Sequence, residues 1–441
     1  MSDGIKKGTT IYTGKPFAFV VKSEHRTTRC DNCLKSEKLL RCTGCQYVYY
    51  CDRNCQKKSW PIHKAECVHL KKILSQGLLI KNIDEIRLVA RIIIKLNQGG
   101  ADEIDYYNEK KLKFKDLMSH YSDIKADTKR QLHFSLLYGM LFQFLDKTLV
   151  PDFEEVMGIW GRMCTNYFSI TNDLDSIGIG IYLGASKVDH SCKPNATFVF
   201  EGTTIIIRTI MDLPSLDLSQ IRIAYIGLLH SKKKRRELLH NMHYFWCDCE
   251  RCKNEEPMAK AAACPNSSCD SPCSIEADEC EKCSTKISIE FKETFQRISD
   301  FTANHLKELD RFDNEKIIFL SKTYLKMQKG VMHKFNVQHI QTLFTIHITS
   351  LNLEWFKDAE LYAKKLLPGL LLYYGEVCPL IGLLYFTIGK LELLNNKPKE
   401  ALQTLSKADT LLRITHGDKH SLVKEKLMFL IFIAMKVVHN M

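Results

Sequence analysis

The sequence contains no apolar run long enough to cross a bilayer. The longest, Leu427 to Met435, falls well short of the roughly 20 residues a spanning helix needs. It reads as a buried helix, and no membrane association is expected. No secretory signal is expected either, since the stretch MSDGIKKG has the wrong character for one. The densest basic run, KKKRR from Lys232 to Arg236, has no aromatic residues interleaved. That argues against a stacking surface for single-stranded nucleic acid. The run reads as the solvated face of a helix reaching about His240, with an import signal or a nucleic-acid patch as the alternative. The rest is ordinary globular composition. There are 441 residues, 45% hydrophobic and 26% charged, with a net charge of +12. That length suggests roughly two to four domains.

What the chain has in excess is cysteine, eighteen in all. Without secretion, so many thiols point to metal ligation in a reducing compartment, cytosol or nucleus. Seven cysteines and one histidine between Cys30 and Cys67 follow C-x2-C-x8-C-x2-C-x5-C-x3-C-x7-H-x3-C. Eight donors suit two tetrahedral zinc ions. The apolar content between them is so low that metal must supply much of the folding free energy. The pairs are best read as interleaved, Cys30, Cys33, Cys51 and Cys55 on one ion, Cys42, Cys45, His63 and Cys67 on the other. The alternative is a disulfide knot, which the compartment disfavours. With Gln56, Trp60, Pro61 and Lys64 around the last ligands, the stretch resembles a MYND zinc finger.

Along the chain, Ile5 to Lys22 reads as one or two strands. Ile73 to about Leu145 is mostly helical, with LVARIIIKL and FSLLYGMLFQFL carrying apolar faces at three- and four-residue spacing. From Trp160 the texture turns β-rich. TFVFEG and TTIIIRTI form a hairpin around Glu201 and Gly202, and IRIAYIGLL from Ile221 is a further strand. From about Ile287 the pattern is helical to the end. Asp358-Ala359 recurs as Glu400-Ala401 and Gly375 as Gly417, both offset by 42 residues. This is the mark of a helical-hairpin array of the tetratricopeptide kind, with a period above the usual ~34.

A second constellation lies in residues 186 to 252. DHSCKPN joins a histidine, a cysteine and a proline turn, and Cys247, Cys249 and Cys252 follow as C-x-C-x2-C. Three thiolates leave one zinc position to fill. Spacing leaves open whether Cys192 or a cysteine from 264 to 283 fills it. SKVDHSCKPN, IRIAYIGLL and HYFWCDCERC resemble the signature blocks of a SET domain and its post-SET cysteines. A SET domain split by a MYND finger and followed by helical repeats resembles the SMYD protein-lysine methyltransferases over nearly the whole chain.

The resemblance implies an α+β fold with a β-rich SET domain split by the finger, a post-SET zinc site, and a C-terminal all-α TPR-like domain. The expected segments are SET strands to residue 29, the finger at 30–67, a helical SET insert at 68–150, a SET core at 151–240, the post-SET cysteine-rich region at 241–287 and the repeat domain at 288–441. It implies that Cys192, Cys247, Cys249 and Cys252 hold a third zinc. It implies S-adenosylmethionine as methyl donor, with His120, Asn166, Ser186, Asp189, His190 and Phe245 on cofactor contacts and Tyr225 as the active-site tyrosine. The expected substrates are histone or non-histone proteins that contain the target lysine. Proline-rich peptides are expected at the finger near Gln56 and Trp60, and chaperone tails at the repeats. Such a protein is expected in cytoplasm and nucleus.

The chain departs from this family's pattern in four places. By the resemblance, a strand with a G-x-G-like cofactor element is expected ahead of the segment that Ile5 to Lys22 matches; the sequence is then either an N-terminally shortened form or one that has lost that half of the cofactor site. Asp189 replaces the turn's leading asparagine. LDLSQ stands where Gly-Glu usually precedes the I-x-I-x-Y strand. His243 takes the post-SET aromatic position, with Tyr244 beside it. The expectation is weakened cofactor binding. A non-catalytic MYND and TPR scaffold is the alternative reading, and direct nucleic-acid binding rests on charge alone. Cys264, Cys269, Cys280 and Cys283 have zinc-ribbon spacing. With Cys273 as a competing ligand, they form either a fourth zinc site or a loop of free thiols. Cys164 and Cys378 read as packing residues.

Overall fold

The computed structural model describes residues 4–77 and 82–439. The helical stretch expected from Ile73 to Leu145 therefore lies partly outside the described residues. The chain divides into two compact units. The first runs to His190 and includes Asn195–Ile223 and His240–Phe245; the second comprises Ser191–Pro194, Ala224–Leu239 and everything from Trp246 on.

The first unit carries two three-stranded antiparallel sheets. In one, Thr204–Thr209 lies between Thr10–Gly14 and Ala196–Glu201. The hairpin expected from TFVFEG and TTIIIRTI is present, with Glu201 opposite Thr204. Gly202 turns it at φ +58°, a conformation that favours glycine. In the other sheet, Asp175–Ile181 lies between Ala18–Val21 and Tyr167–Asn172. A Cβ on Gly178 would lie 2.8 Å from the carbonyl oxygen of Val20, so the close approach of these strands requires glycine there. Asp189–His190 and Arg222–Ile223 form a short parallel pair. A small hairpin, Asp105–Tyr107 with Lys110–Leu112, interrupts the stretch expected to be helical. Helix Ile83–Asn97 packs on the second of these sheets, and helices Arg53–Ser75, Thr128–Phe144 and Phe153–Asn166 pack on that helix in turn. Ile83–Asn97 is buried on every side from Ile86 to Ile94, two arginines included.

The second unit is helical from Ile289 on. Val337–Asn352 pairs with Phe356–Tyr374, and Pro379–Leu394 with Pro398–Thr415. This explains the 42-residue recurrence. Asp358 and Glu400 each lie in the first turn of a hairpin's second helix, where a carboxylate favours the helix dipole. Ala359 and Ala401 are fully buried. Gly375 and Gly417 end those helices at φ +78° and +89°.

Three expectations are corrected. The strand from Ile221 covers only Arg222–Ile223. Beyond it, side chains take the polar groups that a ladder would have used. Tyr374 Oη accepts from Leu228 N at 3.2 Å, Arg251 donates to Leu228 O and Gln341 to Leu229 O. The segment Leu427–Met435 is not buried throughout. Helix Met428–His439 hides Ile431 and Ala434 but exposes Phe429, Phe432 and Met435. Nor is KKKRR simply a solvated face. Lys233 and Lys234 are exposed, but Arg235 is buried against Glu256 at 2.7 Å, Lys232 pairs with Glu255 and Arg236 lies over the Trp246 ring.

Glu360 ties one hairpin to the next. It is buried and accepts from Lys364 Nζ at 2.8 Å, Lys397 Nζ at 2.7 Å and Asn395 Nδ2 at 2.6 Å. Burial alone would raise its pKa, but the two ammonium groups and the amide outweigh it and bring the carboxyl down to about 2. An unfolded glutamate titrates near ~4.3. The stabilisation is therefore complete above about pH 5 and disappears as pH falls toward about 2. Wild type is expected to be more stable than Glu360→Gln by on the order of 2 kcal/mol at neutral pH. Thermal melts across acid pH should show that gap closing between about pH 5 and 2; a pH-independent gap would rule the network out as its source.

Candidate functional site

Four groups of thiol and imidazole donors converge, each with ligand atoms within 4.8 Å of one another. They are Cys30, Cys33, Cys51 and Cys55; Cys42, Cys45, His63 and Cys67; Cys192, Cys247, Cys249 and Cys252; and Cys264, Cys269, Cys280 and Cys283. Tetrahedral zinc, with bonds of about 2.3 Å to sulfur and about 2.0–2.1 Å to nitrogen, sets edges of ~3.8 Å between sulfurs and ~3.5 Å from sulfur to nitrogen. The observed separations fit. Cys33 and Cys51 Sγ are 3.4 Å apart. His63 Nε2 is 3.4 Å from Cys42 Sγ and 3.6 Å from Cys45 Sγ. Cys192 and Cys252 Sγ are 3.6 Å apart. All eighteen cysteines are free of disulfides.

The local backbone explains the finger pairs. Leu34 N donates to Cys30 O and Gln46 N to Cys42 O, at 3.0 and 2.9 Å. Leu34 and Gln46 are left-handed at φ +64° and +56°. Each C-x2-C is thus a tight knuckle presenting both sulfurs to one point. Asp52 caps helix Arg53–Ser75 by accepting from Cys55 N at 2.7 Å, and the helix carries Cys55, His63 and Cys67.

Behind His63 stands a buried network that the sequence reading missed. His63 Nδ1 donates to Glu66 Oε1 at 3.1 Å, leaving Nε2 for the metal side. Glu66 also accepts from Arg87 Nη2 at 3.0 Å and Arg91 Nη2 at 2.6 Å. Asp31, next to the ligand Cys30, accepts from Arg87 at 3.3 Å and from Arg91. Burial would raise the Glu66 pKa, but Arg87 and Arg91 outweigh it and hold the carboxyl well below its usual range. A carboxylate behind a ligating imidazole fixes its tautomer and orientation. His63 and Glu66 at i and i+3 on one helix were the available signal.

The third group lies in the second unit. Arg235 Nη2 donates to Cys252 Sγ at 3.7 Å, and Arg251 Nη1 to Cys192 O at 3.3 Å. A guanidinium beside clustered thiolates offsets their negative charge. Cys273 is buried but lies outside the fourth group. Burial pushes the Cys378 thiol up to about 11 and raises Cys164 as well, which suits packing thiols.

Of the residues expected on cofactor contacts, Ser186 Oγ donates to Tyr182 O at 2.7 Å and approaches Asn166 O at 3.4 Å. Asn166 spends its amide on Met118 O and Arg162 O. Asp189 and His190 form the parallel pair with Arg222 and Ile223. Asn195 braces it, accepting from Arg222 N at 2.8 Å. The His190 and Phe245 rings lie 6.1 Å apart. His120 packs instead on Tyr244, at 5.2 Å. Tyr225, expected on a strand, is half-buried on a bend beyond Ile223.

Residues 30–67 match the family model described as "MYND finger". Similarity to whole proteins goes further. The chain is 30% identical to histone-lysine N-methyltransferase ASHR1 of Arabidopsis thaliana, covering 95% of this chain and 89% of that protein. It is 27% identical to histone-lysine N-methyltransferase SMYD3 of Mus musculus, covering 97% and 92%. It is 25% identical to N-lysine methyltransferase SMYD2-B of Danio rerio, covering 95% and 91%. The chain belongs to the SMYD family.

The network behind His63 has a measurable consequence. Glu66→Gln should weaken zinc binding at the finger by about 10–100-fold in a competition titration with a chelator. Glu66→Ala should also destabilise the unit by roughly 3–5 kcal/mol, because Arg87 and Arg91 lose a buried counter-charge. Unchanged zinc affinity in both variants would remove Glu66 from this role.

Proposed function

We propose that this chain is an S-adenosylmethionine-dependent protein-lysine N-methyltransferase acting on histone or non-histone lysines. The observation that carries the proposal is the match, over nearly the whole chain, to proteins named as lysine methyltransferases. In this reading the sheets, the 189–195 turn and its parallel pairing with Arg222–Ile223 are a SET domain, and the C-terminal hairpins are a TPR-like domain. Three zinc ions then belong to the finger and post-SET groups.

The residues of the first unit fit the donor. The His190 and Phe245 rings lie near each other, as do those of His120 and Tyr244. Tyr244 Oη is buried without a hydrogen-bond partner among the described residues, a free polar contact for a ligand. His120, Asn166, Ser186, Asp189, His190 and Phe245 would hold S-adenosylmethionine, which supplies an activated methyl group when bound. The chain's task is then to deliver a neutral amine in line. Free lysine titrates near ~10.4, and an aromatic, desolvating channel favours its neutral form. Alignment in such reactions contributes about 7–11 kcal/mol in good cases. Tyr225 would position the amine through its hydroxyl rather than abstract a proton.

The finger also supports a docking role. Trp60 is exposed on its helix, and an aromatic surface with Gln56 suits proline-rich peptides. The repeat domain would take partner tails. Basic charge gives little support for nucleic acid, since Lys232 and Arg235 are engaged by glutamates.

The test is transfer of labelled methyl from S-adenosylmethionine to a protein extract. Wild type should label a lysine protein, and Tyr225→Phe should lose at least about tenfold in rate, the scale of ~1.4 kcal/mol of lost positioning. Equal labelling by both would overturn the assignment of Tyr225. No labelling, with no heat of cofactor binding by calorimetry, would favour the scaffold.

A further inference from the structure

The cysteine-rich segment from Cys264 to Cys283 is folded although it has almost nothing apolar to fold around. Between its cysteines and prolines, Ile275 and Ala277 are the main apolar residues. Yet it forms two consecutive β-turn units. Ala262–Ala263 pairs antiparallel with Pro272–Cys273, and Glu279 bridges to Lys286. Each turn carries two cysteines, Cys264 with Cys269 and Cys280 with Cys283. Their sulfurs meet, Cys264 to Cys283 at 3.5 Å and Cys269 to Cys280 at 3.9 Å.

The second turn repeats the finger's knuckle. Ser284 N donates to Cys280 O at 2.8 Å, Cys280 N donates to Thr285 O at 2.9 Å, and Ser284 is left-handed at φ +52°. Leu34 and Gln46 hold the equivalent places after the two C-x2-C pairs of the finger. That agreement in backbone comes from a segment unrelated to the finger in sequence. Four thiolates at one point cannot lie unscreened, and a tetrahedral sulfur site selects zinc or iron–sulfur chemistry. Four separate strand-turn ligands around one centre suit a single zinc ion. Cys273, whose sulfur turns to Ser271 O at 3.9 Å, is left out of the ligand set.

We infer that Cys264, Cys269, Cys280 and Cys283 bind a zinc ion of their own, in addition to those of the finger and of Cys192, Cys247, Cys249 and Cys252. The ion is a folding staple. The loop it holds, including Pro272, Ile275, Glu276 and Ala277, forms one wall of a cavity of about 800 Å³ whose other wall includes Arg236 and Trp246. Metal at this site therefore shapes a surface cavity of the second unit as well as the segment itself.

Native mass spectrometry of the full chain, purified without added metal or chelator, should give four zinc ions per chain. Cys280→Ser/Cys283→Ser should give three, and Cys273→Ser should keep four. Should the double variant fail to fold, alkylation of the native wild-type chain decides. The four cysteines should resist iodoacetamide until a strong chelator is added, at least tenfold more slowly than after metal removal. Three zinc ions in wild type together with prompt alkylation of these four thiols would overturn the inference, as would iron in place of the fourth zinc.

Discussion

Four charged side chains inside the first unit set the conditions for everything around the finger. Asp31, Glu66, Arg87 and Arg91 are all buried, and each ion taken from water costs several kcal/mol unless it is paired and hydrogen-bonded. Here each carboxylate bridges both guanidiniums, and Arg91 also donates to Phe19 O at 2.8 Å. The arginines come from helix Ile83–Asn97 and the acids from the finger, one beside Cys30 and one behind His63. The finger can keep its ligands in register only while that helix is docked, and the helix can bury its arginines only against the finger. Metal geometry and tertiary packing are therefore one condition rather than two.

The same economy recurs wherever the chain has too little apolar surface. The two finger knuckles and the Cys280 knuckle use one backbone solution, a carbonyl of the first cysteine accepting from the residue after the second, which turns left-handed. Cys249–Cys252 uses another. Cys252 N donates back to Cys249 O at 2.8 Å at the start of a short helix, and Arg235 stands where charge must be offset. Ligand spacing alone does not select between these local structures, because two residues between cysteines allow either the turn or the helical start.

Sequence spacing made the metal-binding residues legible, since C-x2-C is a local constraint that survives without knowledge of the fold. The hairpin at Gly202 and the 42-residue recurrence were legible for the same reason. What escaped is long-range. Arg87 and Arg91 pair with acids 21 to 60 residues away, and within IRLVARIIIKL they look like the polar flank of an apolar stripe. The bonds that displaced the strand after Ile223 come from Arg251, Gln341 and Tyr374, more than twenty to well over a hundred residues on. KKKRR looked solvated because its partners Glu255 and Glu256 lie beyond the end of its helix. The last helix looked buried because its composition is apolar, but composition does not say how much of a helix a neighbour covers.

The departure at His243 follows a physical logic of its own. Burial lowers its pKa against the opposing pull of the Thr165 carbonyl, with His120 and Arg130 adding to the lowering, which favours the neutral ring. Its Nδ1 lies 3.1 Å from Thr165 O, and a carbonyl only accepts, so the single ring proton is on Nδ1. Nε2 is then a lone-pair acceptor. Where the family pattern leads one to expect an aromatic, this chain offers a ring-nitrogen acceptor, and a phenol stands one residue on at Tyr244, held left-handed at φ +57° beside His120. Under the proposed methyltransferase reading, this exchange changes which hydrogen-bonding groups the wall presents while keeping two flat rings in place. A ligand that depends on stacking would be tolerated better than one that needs a hydroxyl donor at position 243.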